Sequence, residues 1–189
     1  TPLYSSAASD VYKRQVHPTL IPRRRLIANV DGVMNAVLVK ADAVGPTLYY
    51  GAGAGAEPTA SAVVADLVDV ARAMDADRDH RVPLMGFQPD AISDIPVLDH
   101  DDFETAYYLR MQAEDRPGVL AEVTRIFADK DISIEAVIQK EPQPGEARVP
   151  LILLTSRVIE KNMNAAIAEI ESLDVIEGRV TRIRMEHLG

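Results

Sequence analysis

The sequence predicts an α+β protein of two unequal parts, and three observations predict it. In the second half, apolar residues switch between a period of two and a period of 3.6 in the order β-α-β-β-α-β. Before it, the stretch DADRDHRVPLMGFQPDAISDIPVLDHDDFE at residues 75–104 holds three prolines, many acids and no sustained period. The first half combines short β-branched runs, a glycine-rich loop and a helix rich in alanine and valine.

Each element follows from local chemistry. Residues 1–15, TPLYSSAASDVYKRQ, are small, polar and without a period, and read as an unmatched tail or non-native extension. Strands are expected near 26–30, 34–41 and 47–50, the last two joined as a hairpin through DAVGP. A helix is expected from Pro58 to about Met74, with Ala62, Ala65, Leu67 and Val68 on a buried face and Thr59 or Ser61 as its cap. The later elements are the strand TAYYLRMQA, the helix DRPGVLAEVTRIFADK, the strands ISIEAVIQKE and ARVPLILLT, the helix IEKNMNAAIAEIESLD and the strand VIEGRVTRIRMEH. Leu120, Val123 and Phe127 form one helical stripe; Met163, Ile167 and Ile170 form the other. Two such helices on four strands make a two-layer sandwich of ferredoxin-like type.

Composition narrows the function. The 189 residues are 47% hydrophobic and 26% charged, within the globular range, with a net charge of -9. Nucleic acid is not an expected partner, since Arg23, Arg24 and Arg25 make only a short basic run. Absence of cysteine removes disulfides, thiolate catalysis and zinc–thiolate sites, and a reducing cytoplasm is the expected compartment. No apolar run approaches the ~20 residues of a membrane span, and no secretion signal opens the chain.

Two constellations could carry chemistry. Gly51, Gly53 and Gly55 lie between a strand and a helix, but GxGxG is not the GxGxxG of a dinucleotide fingerprint. Glycine there permits close backbone approach to a ligand, and a plain structural turn explains the same residues. In Asp115-Arg116-Pro117-Gly118-Val119-Leu120, Asp115 suits a helix cap and Pro117 a first helical turn, whereas capping does not require Gly118. Asp75, Asp77 and Asp79 begin like a calcium loop, but His80 and Gly86 break the pattern, and the scattered histidines give no zinc motif. His17 reads as a structural hydrogen-bonding group. No metal site and no catalytic residue is expected in this chain.

AYYLRMQAEDRPGVLAEVTRIFADKDISIEAVIQ resembles the opening of an ACT domain, the regulatory module of amino-acid enzymes. VHPTLIP, NVDGVMNAV and YYGAGAGAEPTASAVVADLV resemble the C-terminal part of the catalytic region of homoserine dehydrogenases. The resemblance implies residues 16–82 from a substrate and dimerisation domain, a linker at 83–104 and an ACT domain at 105–189. It implies NAD(P)-dependent interconversion of aspartate semialdehyde and homoserine, on the route to threonine and methionine. The family's Rossmann domain and catalytic lysine lie upstream, so the chain alone is expected to be inactive, and Lys40 does not replace that lysine. Gly51, Gly53, Ala54, Gly55 and Thr59 would contact the nicotinamide half of the cofactor. Asp115 to Leu120, with Ser133 and Gln139, would face an amino-acid effector, threonine first. A homo-oligomer through both regions is implied. The alternative is a stand-alone amino-acid-binding or oligomerisation module without catalysis.

Overall fold

The computed structural model describes residues 16–75, 98–139 and 147–187. Of these, residues 23–75 form one unit and residues 16–22 with 98–187 form a second.

The second unit is built on the strands β1 (Thr19–Leu20), β4 (Glu104–Glu114), β5 (Ile134–Gln139), β6 (Arg148–Thr155) and β8 (Ile176–Met185), in the sheet order β1-β8-β4-β6-β5. A two-residue strand, β7 (Val158–Ile159), pairs with the start of β4. Helices α2 (Val119–Asp129) and α3 (Glu160–Glu171) complete the β-α-β-β-α-β order, as the periodicity predicts. From Tyr107 to Ala113 β4 alternates: Tyr107, Leu109, Met111 and Ala113 are buried, and Arg110 and Gln112 are exposed, whereas Thr105 and Ala106 ahead of them are both buried. The buried set meets Val123 and Phe127 of α2 and Met163 and Ile170 of α3 in one core. Fully burying side chains of this kind stabilises by about 1.5–3 kcal/mol each.

The helices differ in detail from the sequence reading. Residues 115–118 form a turn, and α2 begins only at Val119, because Gly118 sits at φ 99° in the left-handed region. The stripe of α2 is Val119, Val123, Ile126 and Phe127, and Leu120 is 38% exposed instead of buried. In α3 the buried face is Met163, Ala166 and Ile170, with Ile167 packed partly against it. Phe103 is buried beside a short 3-10 turn at His100–Asp102, so this unit begins before residue 105.

β1 is a second difference. The segment around Thr19 reads from sequence as part of the first region, yet β1 pairs in parallel with β8, Thr19 opposite Arg184 and Leu20 opposite Met185.

The first unit holds the antiparallel hairpin β2 (Met34–Ala41) and β3 (Gly45–Ala52), followed by α1 (Ala56–Asp75). The expected strand at 26–30 is instead a 3-10 helix, Leu26–Asn29, held by Asn29 Nδ2 donating to the carbonyl of Arg25 at 2.9 Å. α1 starts two residues before Pro58, which the first helical turn tolerates; Thr59 and Ser61 therefore lie inside it and do not cap it. Its expected buried face is not buried: Leu67 is 64% exposed and Val68 40%. No residue from 16 to 75 with a described side chain is buried. The loop PQPGE lies outside the described residues, as do Asp77, Asp79 and His80 of the calcium-like run. Among the described residues, no helix is long and apolar enough to cross a membrane.

Candidate functional site

At the junction of β4 and α2 the chain encloses a cleft of about 350 Å³. β4 delivers Ala113 and Glu114 to its rim, and the turn supplies Asp115, Arg116 and Pro117. Gly118, Val119 and Leu120 open the helix on one side; Gln139 and Leu151 close the other. β5 and β6 bring these last two together, since Gln139 pairs with Leu151 in register.

Backbone bonds fix the turn. Asp115 N–H donates to the carbonyl of Ala147 at 3.4 Å, and Arg116 N–H donates to that of Glu114 at 3.1 Å. Glu122 N–H closes the first helical turn onto the carbonyl of Gly118 at 3.0 Å. No side chain caps α2. Asp115 therefore does not play the capping role its position suggests: its Oδ1 accepts from Gln139 Nε2 at 3.1 Å, across the cleft. A Cβ at Gly118 would meet nothing within 4 Å, so this glycine answers a backbone requirement with open space in front of it.

The charges are unevenly matched. Arg116 Nε lies 3.1 Å from Glu114 Oε2 and its Nη2 3.8 Å from Glu122 Oε1. Arg148 reaches Glu114 at 3.7 Å and Glu177 at 3.1 Å. Asp115 has no cation within 4 Å among the described residues. The cleft thus presents a carboxylate held by an amide, an uncapped helix start with outward N–H groups, and an apolar wall from Val119, Leu120 and Leu151. That set can receive a small zwitterion: a cation at Asp115 and an anion at the helix start.

Seven of the eight residues expected to face an effector, Asp115 to Leu120 and Gln139, line this cleft. Ser133 does not. It lies at the opposite end of β5, where its carbonyl accepts from Ser156 N–H at 2.9 Å. Leu151 escapes sequence reasoning because only the antiparallel register brings it to the turn, whereas Ala113 and Glu114 precede the turn directly in the chain.

The other glycine motif sits in the first unit. Gly53 N–H donates to the carbonyl of Val33 at 2.8 Å, and a Cβ on Gly53 would overlap the Asn35 side chain. The close approach at Gly53 is therefore internal. Gly55 has φ 125°, and Gly51 faces open space. Ala54 and Thr59 are exposed beside them, and Thr59 N–H donates to the carbonyl of Gly55 at 3.1 Å. His17 Nδ1 donates to the carbonyl of Pro18 at 3.1 Å. Among the described residues no group of three or more His, Cys, Asp or Glu side chains is arranged to hold a metal.

A separate polar cluster ties the far end of the sheet. Glu160, only 3% exposed, meets Arg182 Nη1 at 2.9 Å and Arg184 Nη2 at 3.1 Å. The Tyr107 hydroxyl donates to the same carboxylate. Burial, and then the Glu160 hydrogen bond, push the Tyr107 hydroxyl well above the ordinary tyrosine range.

Comparison with known proteins assigns both regions. The family model "Homoserine dehydrogenase" matches residues 3–68, taking in most of the stretch that composition alone left unmatched, and "ACT domain" matches residues 107–175. The homoserine dehydrogenase of Pseudomonas aeruginosa is 60% identical over 94% of this chain and 41% of its own length. That of Neisseria gonorrhoeae is 53% identical over 92% and 40%. A crystal structure of a homoserine dehydrogenase from Thiobacillus denitrificans superposes with a TM-score of 0.85 at 64% identity, covering 96% of this chain and 41% of that one. The chain spans about two fifths of the length of these relatives.

Proposed function

Because the chain has the sequence of a homoserine dehydrogenase C-terminal region with its ACT domain, we propose that it completes the cofactor and substrate region of such an oxidoreductase and carries its feedback control. The reaction is the NAD(P)-dependent interconversion of aspartate semialdehyde and homoserine in a reducing cytoplasm. The effector is L-threonine, bound at the cleft between β4 and α2. The enzyme is a homo-oligomer through both regions.

The observation that carries the effector reading is the Asp115–Gln139 pair, set beside an uncapped helix start. Asp115 takes the ammonium group, because the one described partner of its carboxylate is a neutral amide. The first-turn N–H groups of α2 take the carboxylate. Leu120 and Leu151 bound the side chain, and the ion pairs of Arg116 keep that cation away from Asp115.

Residues 51–59 fit a cofactor in part. Gly51 leaves room for a ligand and α1 starts next to the loop, whereas Gly53 is already filled by Asn35. Gly51, Ala54, Gly55 and Thr59 would hold the nicotinamide end and exclude water on that side, and Gly53 would support the loop from within. When bound, NAD(P) supplies or accepts the hydride.

Two measurements test this. NADPH oxidation with aspartate semialdehyde should be absent for the chain alone and appear once the upstream region is restored; turnover by the chain alone overturns the division of labour. Calorimetry should detect L-threonine binding to the chain, weakened about tenfold by Asp115→Asn, the scale of one charge-assisted hydrogen bond. Absence of heat at millimolar L-threonine sinks the effector reading.

A stand-alone amino-acid-binding module is favoured by one observation: residues 98–187 close a core of their own. Threonine binding without any effect on the activity of the restored enzyme would select it.

A further inference from the structure

β1 lies within residues 3–68, the stretch matched by the homoserine dehydrogenase model, yet it is the edge strand of the ACT sheet. The chain therefore visits the ACT unit, leaves it for residues 23–75, and returns to it. We propose that β1 is a releasable strap by which the ACT unit grips the chain where it enters the dehydrogenase region.

The strap is weak by construction. It has two residues, and Leu20 is exposed. Its side-chain bond is Thr19 Oγ1 donating to the carbonyl of Arg184 at 3.0 Å, and Glu186 N–H donates to the carbonyl of Leu20 at 3.0 Å. Short edge pairings with few buried contacts open at low free energy. What it grips is firm. Arg184 offers its backbone to Thr19 and its guanidinium to buried Glu160, with the guanidinium carbon 4.7 Å from the Phe103 ring centre. Arg182 and Tyr107 hold the same carboxylate, so the end of β8 is pinned to α3 and β4.

The same ladder reaches the cleft. β4 pairs with β8 from Ala113 opposite Ile176, at the cleft end, to Ala106 opposite Met185, beside the strap. A register shift between Arg110 and Gln112 interrupts it. Arg184 and Glu186, the residues that bond β1, lie at the end of β8. Docked and released β1 are thus two states that the ACT sheet can bias, and the segment they hold leads directly into residues 23–75. The strap acts on the dehydrogenase region whatever ligand the cleft takes.

The test uses the enzyme with its upstream region restored. Leu20→Cys with Met185→Cys puts thiols at register partners, about 5 Å apart between adjacent strands and within reach of a disulfide. The present sequence has no other cysteine. Leu20→Pro removes the strand N–H on the side of Leu20 that faces β8, and releases the strap. Hydrogen exchange at the Glu186 amide reads the state: protected in the oxidised lock, unprotected in Leu20→Pro, with Leu109 and Leu153 protected in both. Locked and released enzymes should differ by at least about threefold in kcat or KM, the low end of coupling between linked sites. Equal constants overturn the proposal, and so does a Glu186 amide as protected in Leu20→Pro as in the lock. Inhibition of the parent enzyme by L-threonine is measured alongside and judges the effector reading separately.

Discussion

Residues 98–187 are poorer in apolar side chains than residues 23–75, and the two sets use them in opposite ways. The first set closes a core in which Tyr107, Leu109, Phe127 and Met163 are inaccessible to solvent. In the second, Val63, Val64, Leu67, Val70 and Met74 of α1 all stand exposed, as do Val37, Val39, Tyr49 and Tyr50 of the hairpin. In α1 the exposed apolar residues form one broad stripe opposite Asp66, Asp69 and Arg72, and the hairpin is apolar on both faces, so each presents a face suited to burial.

The largest expected effect tests that contrast directly. Phe127→Ala should cost the ACT unit about 3–5 kcal/mol, the range for emptying a buried aromatic site. Leu67→Ala should change the stability of this chain by less than about 0.5 kcal/mol, as at an exposed position. Denaturant unfolding monitored by circular dichroism reads both; comparable costs would break the comparison.

A smaller effect lies in the polar cluster and depends on pH. Tyr107 has a raised hydroxyl pKa in the folded state, so the folded protein keeps that proton more firmly than the unfolded chain does. The associated stability is fully present below about pH 10, the ordinary tyrosine value, and is lost as pH rises beyond it. Tyr107→Phe should cost about 1–2 kcal/mol at neutral pH, by leaving the Glu160 carboxylate one donor short. It should also flatten the loss of stability at alkaline pH. An unchanged alkaline slope in urea titrations would show that Tyr107 does not set it.

The smallest effect separates two glycines. Gly118→Ala should cost about 1 kcal/mol, because its φ of 99° disfavours any side chain although nothing crowds it. Gly51→Ala, in a strand with open space, should fall within about 0.5 kcal/mol. Thermal unfolding of the pair sharpens the distinction between a glycine required by backbone conformation and one that is not.

The fold of the ACT unit was legible because its signals are local. Alternation in β4 and helical spacing in α2 and α3 each depend on a few adjacent residues. The D-R-P-G-V-L turn was legible as a site for the same reason. Its chemistry was legible only in part. Asp115 looked like a cap, and became a cleft carboxylate through a partner 24 positions away. Ser133 and Gln139 sat on one strand and looked equivalent, until the register set them at its two ends. At Leu26–Asn29 an apolar run too short to choose its own structure became a 3-10 turn.

The sequence by itself determined the element order of residues 104–187, the turn that forms the cleft, and the two regions that the family comparisons then assigned. Tertiary structure alone decided that Thr19 and Leu20 join the ACT sheet, that Gly53 serves Asn35, and that Glu160 is buried between two arginines. The physical reason is range. Periodicity and turn chemistry act between neighbours in the chain, whereas Thr19 and Arg184 meet across 165 positions through a strand pairing that neither residue encodes alone.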